Sequence, residues 1–196
     1  MARLGAVFGI ALLALAAAAP GAYADISSAL NPFSNFYNNI ARAAEANNVA
    51  KVRELISSGN SVNEVEEDSQ RTGLHIAAIN GNLQIAAILI KAGARIDARD
   101  NLGDTPLLYA AEHGHLEMAK LLIDVGAQVD AENKNGMTAL MAAAKGGDVE
   151  MVRTLLARGA NPNKSDYTGR DSLGWALDSH RSAVVAILKD AQAHKH

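Results

Sequence analysis

The 196-residue chain is 49% hydrophobic but only 4% aromatic, carries a formal charge of −3, and has no cysteine. That length supports one ordinary domain with a real core, and an apolar fraction this poor in aromatics suits closely packed helices better than a β-sandwich. A mildly acidic balance argues against nucleic acid or anionic lipid as the main partner, and the lack of thiols excludes Cys nucleophiles and Cys-ligated metals.

The chain opens on Arg3, followed by an uncharged apolar run over residues 4–19, a Pro20-Gly21 break and an Ala22-Tyr23-Ala24 triplet ahead of Asp25. A short positive region, an apolar run and an A-x-A site make a secretory signal peptide. The run is also short for a membrane span, which needs about 20 residues. Residues 1–24 are therefore expected to be removed, leaving a protein that does not contact the membrane. The bacterial character of the signal places it in the periplasm. A leader at residues 25–37 contains Phe33, Phe36 and Tyr37, which are expected to cover the open first end of the fold that follows.

The rest of the chain repeats. Thr72, Thr105 and Thr138 are spaced 33 residues apart, as are Ala77-Ala78, Ala110-Ala111 and Ala143-Ala144. Gly81, Gly114 and Gly147 keep the same step, followed by Gly93, Gly126 and Gly159. A period of this size signals stacked supersecondary units. In each unit Thr can cap a first helix, paired alanines let neighbouring helices approach, and a glycine permits the turn to a second helix. Leu83, Ile85, Ala86, Leu89 and Ile90 then recur at helical spacing. The unit beginning near Ala41 lacks the Thr turn, and Gly59 to Gly93 is 34 residues, so one extra residue is expected in the connector Val65-Glu66-Glu67-Asp68-Ser69-Gln70. The last unit has Asp171 in the Thr position and ends in a polar tail.

Thr105-Pro106-Leu107, the paired alanines, the glycine turn and the Gly-Ala ending together resemble the ankyrin-repeat family. Thr72-Gly73-Leu74-His75 keeps the family's histidine without its proline, and Thr138-Ala139-Leu140-Met141 keeps only Thr and Leu. The resemblance implies an all-α solenoid of helix-turn-helix units with hairpin connectors. About five repeats are expected, near residues 38–67, 68–100, 101–133, 134–166 and 167–190, with a tail at 191–196. Trp175 is expected to cap the far end.

His113 and His115 flank Gly114, with Glu112 and Glu117 nearby. In the repeat frame they are turn residues rather than ligands, and His75 is expected to bond Thr72 rather than act as a base. His194 and His196 fall in the tail. Asp100, Asn133 and Asp166 share the period and belong to connector turns, where a short polar side chain bonds local backbone. No phosphate loop, Gly-x-Ser-x-Gly or His-Glu-x-x-His appears, so neither enzyme activity nor a cofactor is expected.

The resemblance further implies protein binding through connector tips and the exposed side of each first helix. Mapped by position, the tips supply Glu66, Asp68, Arg71, Arg99, Asn101, Leu102, Asp104, Glu132, Lys134, Asn135, Met137, Tyr167 and Arg170. The first helices add Ile79, Asn80, Glu112, His113, Lys145 and Asp178. Leu102, Met137, Tyr167 and Ile79 among charges have the make-up of an interface, with apolar anchors and a polar rim. Glu66, Glu67 and Asp68 make one end acidic, while Lys164 and Arg170 make the other more basic. The partner is expected to be another protein, bound by a monomer. The chain also resembles small periplasmic ankyrin proteins of Gram-negative bacteria, which implies a helper in oxidative-stress defence. An immunity protein that blocks a toxin or secreted effector is one alternative; a haem or metal carrier using His113, His115 and Met118 is another.

Overall fold

A computed structural model describes residues 39–193; the signal segment, the leader aromatics and His194 and His196 lie outside the described residues. The described chain contains five helical hairpins. Their first helices are α1 (Ile40–Glu45), α3 (Gly73–Ile79), α5 (Pro106–Glu112), α7 (Ala139–Gly146) and α9 (Ser172–Asp178). Their second helices are α2 (Val49–Ser57), α4 (Leu83–Lys91), α6 (Leu116–Asp124), α8 (Val149–Ala157) and α10 (Ser182–Ala193). The final helix continues beyond residue 190, where the sequence places the start of a tail. Among the described residues there is no strand, only isolated bridges at Val65–Thr72 and Ser165–Asp171. No helix among them is long and apolar enough to cross a membrane.

Short polar side chains start these helices. Thr105 Oγ1 accepts from the Leu108 N–H and Thr138 Oγ1 from that of Met141, both at 3.3 Å. Asp171, the substitute for Thr, accepts from the Gly174 N–H at 2.7 Å. Each bond satisfies a donor that the helix itself leaves unpaired. The second helices stop where a glycine takes a left-handed turn, as at Gly126 with φ 100°, letting the Ala127 N–H bond back to the Leu122 carbonyl at 2.9 Å.

The first helices are buried on almost every side. Gly73 to Ala78, Pro106 to Ala111 and Ala139 to Ala144 form unbroken buried runs. Their alanines allow these helices to pack closely in a row, whereas contact between successive second helices is sparser. Ile85, Leu89, Met118, Leu122, Met151 and Leu155 fill the layer between the rows and are fully enclosed. No hairpin could bury that stripe alone, so the core exists only in the stack.

Polar staples fix the register. Asn63, Asp97 and Asp130 accept from the backbone N–H of Arg95, Gln128 and Asn161, each in the following repeat, at 2.7, 3.0 and 2.9 Å. These residues are the Asn/Asp of the repeat ending.

Candidate protein-binding face

Each tip is a short turn organised by one side chain. Asp100 Oδ1 accepts from the N–H groups of Leu102 and Asp104 at 2.8 and 2.9 Å. Asn133 Oδ1 does the same for Asn135 and Met137, and Asp166 Oδ1 for Thr168 and Arg170. The turn closes through a residue with positive φ, such as Gly136 at 77°, where a Cβ would lie 2.9 Å from Tyr167 Cδ1. In the first tip Gln70 adopts that conformation at φ 58°. There Glu66 N–H bonds Arg71 O, one residue further along than in the pairs Asp100–Asp104, Asn133–Met137 and Asp166–Arg170. The extra residue of the first connector therefore sits inside its tip.

Successive tips are hydrogen-bonded to one another. The N–H of Asn101 donates to Ser69 O, that of Lys134 to Leu102 O, and that of Tyr167 to Asn135 O, each at 3.0 Å. Side chains reinforce the row: Asn101 donates to Asp68 O, Lys134 to Asn101 O and Arg99 to Glu132 O. A tip is thus held by its neighbours, and the face it presents is preorganised.

The expected site residues divide into two groups. Leu102, Glu112, Asn135, Met137 and Lys145 border a hollow of about 350 Å³ between the first and second of the tips at Asp100, Asn133 and Asp166, over α7. Met137, Tyr167 and Arg170 border a second hollow of about 290 Å³. Met137 and Asn135 line both, so the hollows form one groove. Leu102 and Tyr167 are 56% and 74% exposed on its walls. Asp178 is exposed on α9, Asn80 and His113 are exposed just past the ends of α3 and α5, and Ile79 is half-buried.

Other expected residues are committed inside the protein. Asp104, expected as an exposed tip residue, is only 5% exposed: Asn133 Nδ2 donates to its Oδ1 at 2.7 Å, leaving it as part of the hollow's floor. Burial, together with the nearby charges of Asp100 and Glu112, pushes its carboxyl above the usual range, against the Asn133 bond. Arg71 donates to the Tyr109 hydroxyl at 2.6 Å and pairs with Asp100 at 3.4 Å. Glu66 accepts from Ser69 Oγ at 2.6 Å. Lys164 pairs with Glu132, and Arg170 with Asp178 at 3.0 Å, so the expected basic end is largely neutralised.

Trp175 also differs from expectation. It does not cover the far end. It faces its own tip, donating Nε1–H to Asp166 Oδ2 at 2.9 Å, with Arg170 and Lys145 at 5.0 and 5.1 Å from the ring centre. It lines the second hollow with Thr168. Leu108 and Ala142 likewise belong to the first hollow without having been expected there. The signal that could have found Trp175 and Ala142 is their register with Tyr109.

The histidines serve the framework. His75 is fully buried; its Nδ1 accepts from the Thr72 N–H at 3.0 Å, and Nε2 donates to Asp104 O at 3.1 Å. Burial, the largest influence, holds its pKa below the ordinary imidazole value. His115 Nε2 donates to Ile79 O at 2.9 Å in the preceding repeat, over the space left by Gly81, where a Cβ would lie 2.7 Å from the ring. His113 Nδ1 donates to Tyr109 O at 3.0 Å. Among the described residues no three His, Asp or Glu side chains gather as a metal-binding group.

Comparison with known proteins agrees with this construction. The family model for ankyrin repeats (3 copies) matches residues 40–133 and again residues 122–196. Potassium channel AKT3 of Oryza sativa subsp. japonica is 38% identical over 64 residues. That stretch covers 33% of this chain and 7% of the channel, so the chain spans a small fraction of that relative.

Proposed function

The chain belongs to the ankyrin-repeat family, a family of protein-interaction modules, and from that premise we propose that it is an exported, non-catalytic protein that grips one partner protein along its tips and first helices. The observation that carries this reading is the groove shared by the two hollows, with Leu102, Met137 and Tyr167 as apolar anchors and Glu112, Lys145 and Arg170 as a charged rim. Apolar anchors within a polar rim are how protein interfaces concentrate their energy. The row of bonded tips lowers the ordering cost that binding would otherwise impose.

The module acts as a monomer in the periplasm. Support for export is the anatomy of residues 1–24, and a cysteine-free chain has no requirement for disulfide formation after export. A role as a helper in oxidative-stress defence rests on the resemblance to small periplasmic ankyrin proteins.

Affinity capture from periplasmic extract tests the binding reading. The wild-type chain is expected to retain a partner that the Leu102→Ala/Met137→Ala double variant loses; equal recovery on both contradicts it. N-terminal sequencing of the purified protein is expected to begin at Asp25, and an intact Met1 would contradict export by cleavage.

A further inference from the structure

Ile76, Tyr109, Ala142 and Trp175 occupy the same place, the fourth residue, in the first helices α3, α5, α7 and α9. Two of them are aromatic and are held alike. Tyr109 donates its hydroxyl to Asp100 Oδ2 at 2.6 Å, and Trp175 donates its indole N–H to Asp166 Oδ2 at 2.9 Å. A guanidinium lies over each ring, Arg71 at 4.9 Å and Arg170 at 5.0 Å from the centroid. At Ala142 there is only a methyl group, and the hollow of about 350 Å³ opens beside it. One water takes about 30 Å³ of liquid, so the space is of side-chain size.

The polar groups around this vacancy are also changed. The tip residue is Asn133 rather than aspartate, and the place of Arg71 is taken by Asp104. Asp104 is almost completely buried, with Asn133 donating to one of its oxygens. The walls are Leu102, Leu108 and Met137, and Glu112 and Lys145 stand among the lining. A ring is missing where its neighbours have rings, and a buried carboxylate stands where the Tyr109 site has Arg71, whereas Arg170 over Trp175 is in register with Met137.

We propose that this hollow is a recognition pocket for one tyrosine or tryptophan side chain of the partner protein, seated over Ala142 with its O–H or N–H donated to the Asp104 carboxylate. The proposal rests on the protein-binding reading and adds the identity of the anchor. An aliphatic side chain would fill the walls but add no donor to Asp104, whose Oδ1 takes a bond of 2.7 Å from Asn133. An arginine or lysine would meet Asp104 and Glu112 as opposite charges and Lys145 as a like one, but would give the apolar walls of Leu102, Leu108 and Met137 no ring to pack on. Lys145 is instead suited to a ring face, since its Nζ already stands 5.1 Å from the centre of the Trp175 ring.

The test uses the mature chain and methyl NMR. The methyls of Leu102, Leu108 and Met137 are followed while N-acetyl amides of tryptophan, tyrosine, phenylalanine, leucine and arginine are added. Saturable shifts are expected for tryptophan and tyrosine, with a dissociation constant in the roughly millimolar range. Leucine and arginine amides are expected to bind at least about fivefold more weakly. Asp104→Asn is expected to reduce the preference for tyrosine over phenylalanine by about tenfold. Ala142→Trp, and the smaller Ala142→Leu should the first fail to fold, are expected to abolish the shifts by filling the space. Unmoved methyls, equal binding of the leucine amide, or unchanged binding to the filled variant each overturn the proposal. If that happens while Leu102→Ala/Met137→Ala still loses the captured partner, the pocket assignment falls and the binding reading stands.

Discussion

Around Tyr109 and around Trp175 the stack uses one design for two purposes. In both, a tip aspartate accepts from an aromatic donor and an arginine covers the ring. Around Tyr109 the arrangement is closed: the ring is 4% exposed, and its hydroxyl joins Asp100 to Arg71 across two repeats. Around Trp175 it is open: Arg170 is exposed, Tyr167 beside it stands in solvent, and a hollow reaches Met137. The same chemistry therefore supports the framework where it is sealed and lines an open hollow where it is not. Electrostatics follow the difference in setting. Burial, the largest influence on Asp100, acts to raise its carboxyl, but bonds from Tyr109, the Asp104 and Leu102 backbone and Arg71 together hold it below the usual range. Asp166 is likewise held low against the effect of burial, by Thr168, the Arg170 backbone and Trp175.

The strongest way to break this contrast is to remove each ring. Tyr109→Ala is expected to cost about 3–5 kcal/mol, because a buried ring is lost and the buried Asp100 and half-buried Arg71 lose a partner. Trp175→Ala is expected to cost only about 1–2 kcal/mol in stability while weakening capture of the partner. Urea unfolding of both variants measures the gap, and equal costs would erase the distinction.

The closed side should also respond to pH. Burial keeps the folded-state pKa of His75 below its ordinary value of 6.5, so on acidification the unfolded chain takes up that proton first. Stability contributed by neutral His75 is therefore complete above 6.5 and falls as pH drops below it, with a limiting slope of about 1.4 kcal/mol per pH unit. Unfolding of wild type and His75→Asn across this window should give converging stabilities at low pH; a constant difference would contradict the assignment.

On the open side, Leu102→Ala/Met137→Ala is expected to change stability by less than about 1 kcal/mol while abolishing capture. The smallest effect expected is at Ser172, whose buried hydroxyl has no partner. Ser172→Ala should be neutral or stabilising by up to about 1 kcal/mol, since it removes an unsatisfied polar group, and a thermal melt would show it.

Most of the framework was legible in sequence because a stacked repeat is governed by nearest neighbours. Thr105, Gly126 and the paired alanines act within one unit or against the next, so a fixed period reports them directly. The extra residue near Glu66 was visible for the same reason. The candidate binding face was less legible. Asp104 shares its register with the tip residues Met137 and Arg170, and only the contact with Asn133 shows that its carboxylate is turned inward. Trp175 read as an end cap because it lies in the last unit, although its register with Tyr109 pointed to the tip. The hollow at Ala142 is a missing side chain, which has meaning only beside the rings on either side.

Site-specific photo-crosslinking of the protein tests the central claim most directly. A photoreactive residue is placed at Tyr167 on the groove or at Leu83, 41% exposed at the start of the second helix α4. The account predicts one discrete adduct with another protein from position 167 and none from position 83. Adducts of equal yield from both positions, or from position 83 alone, would contradict it.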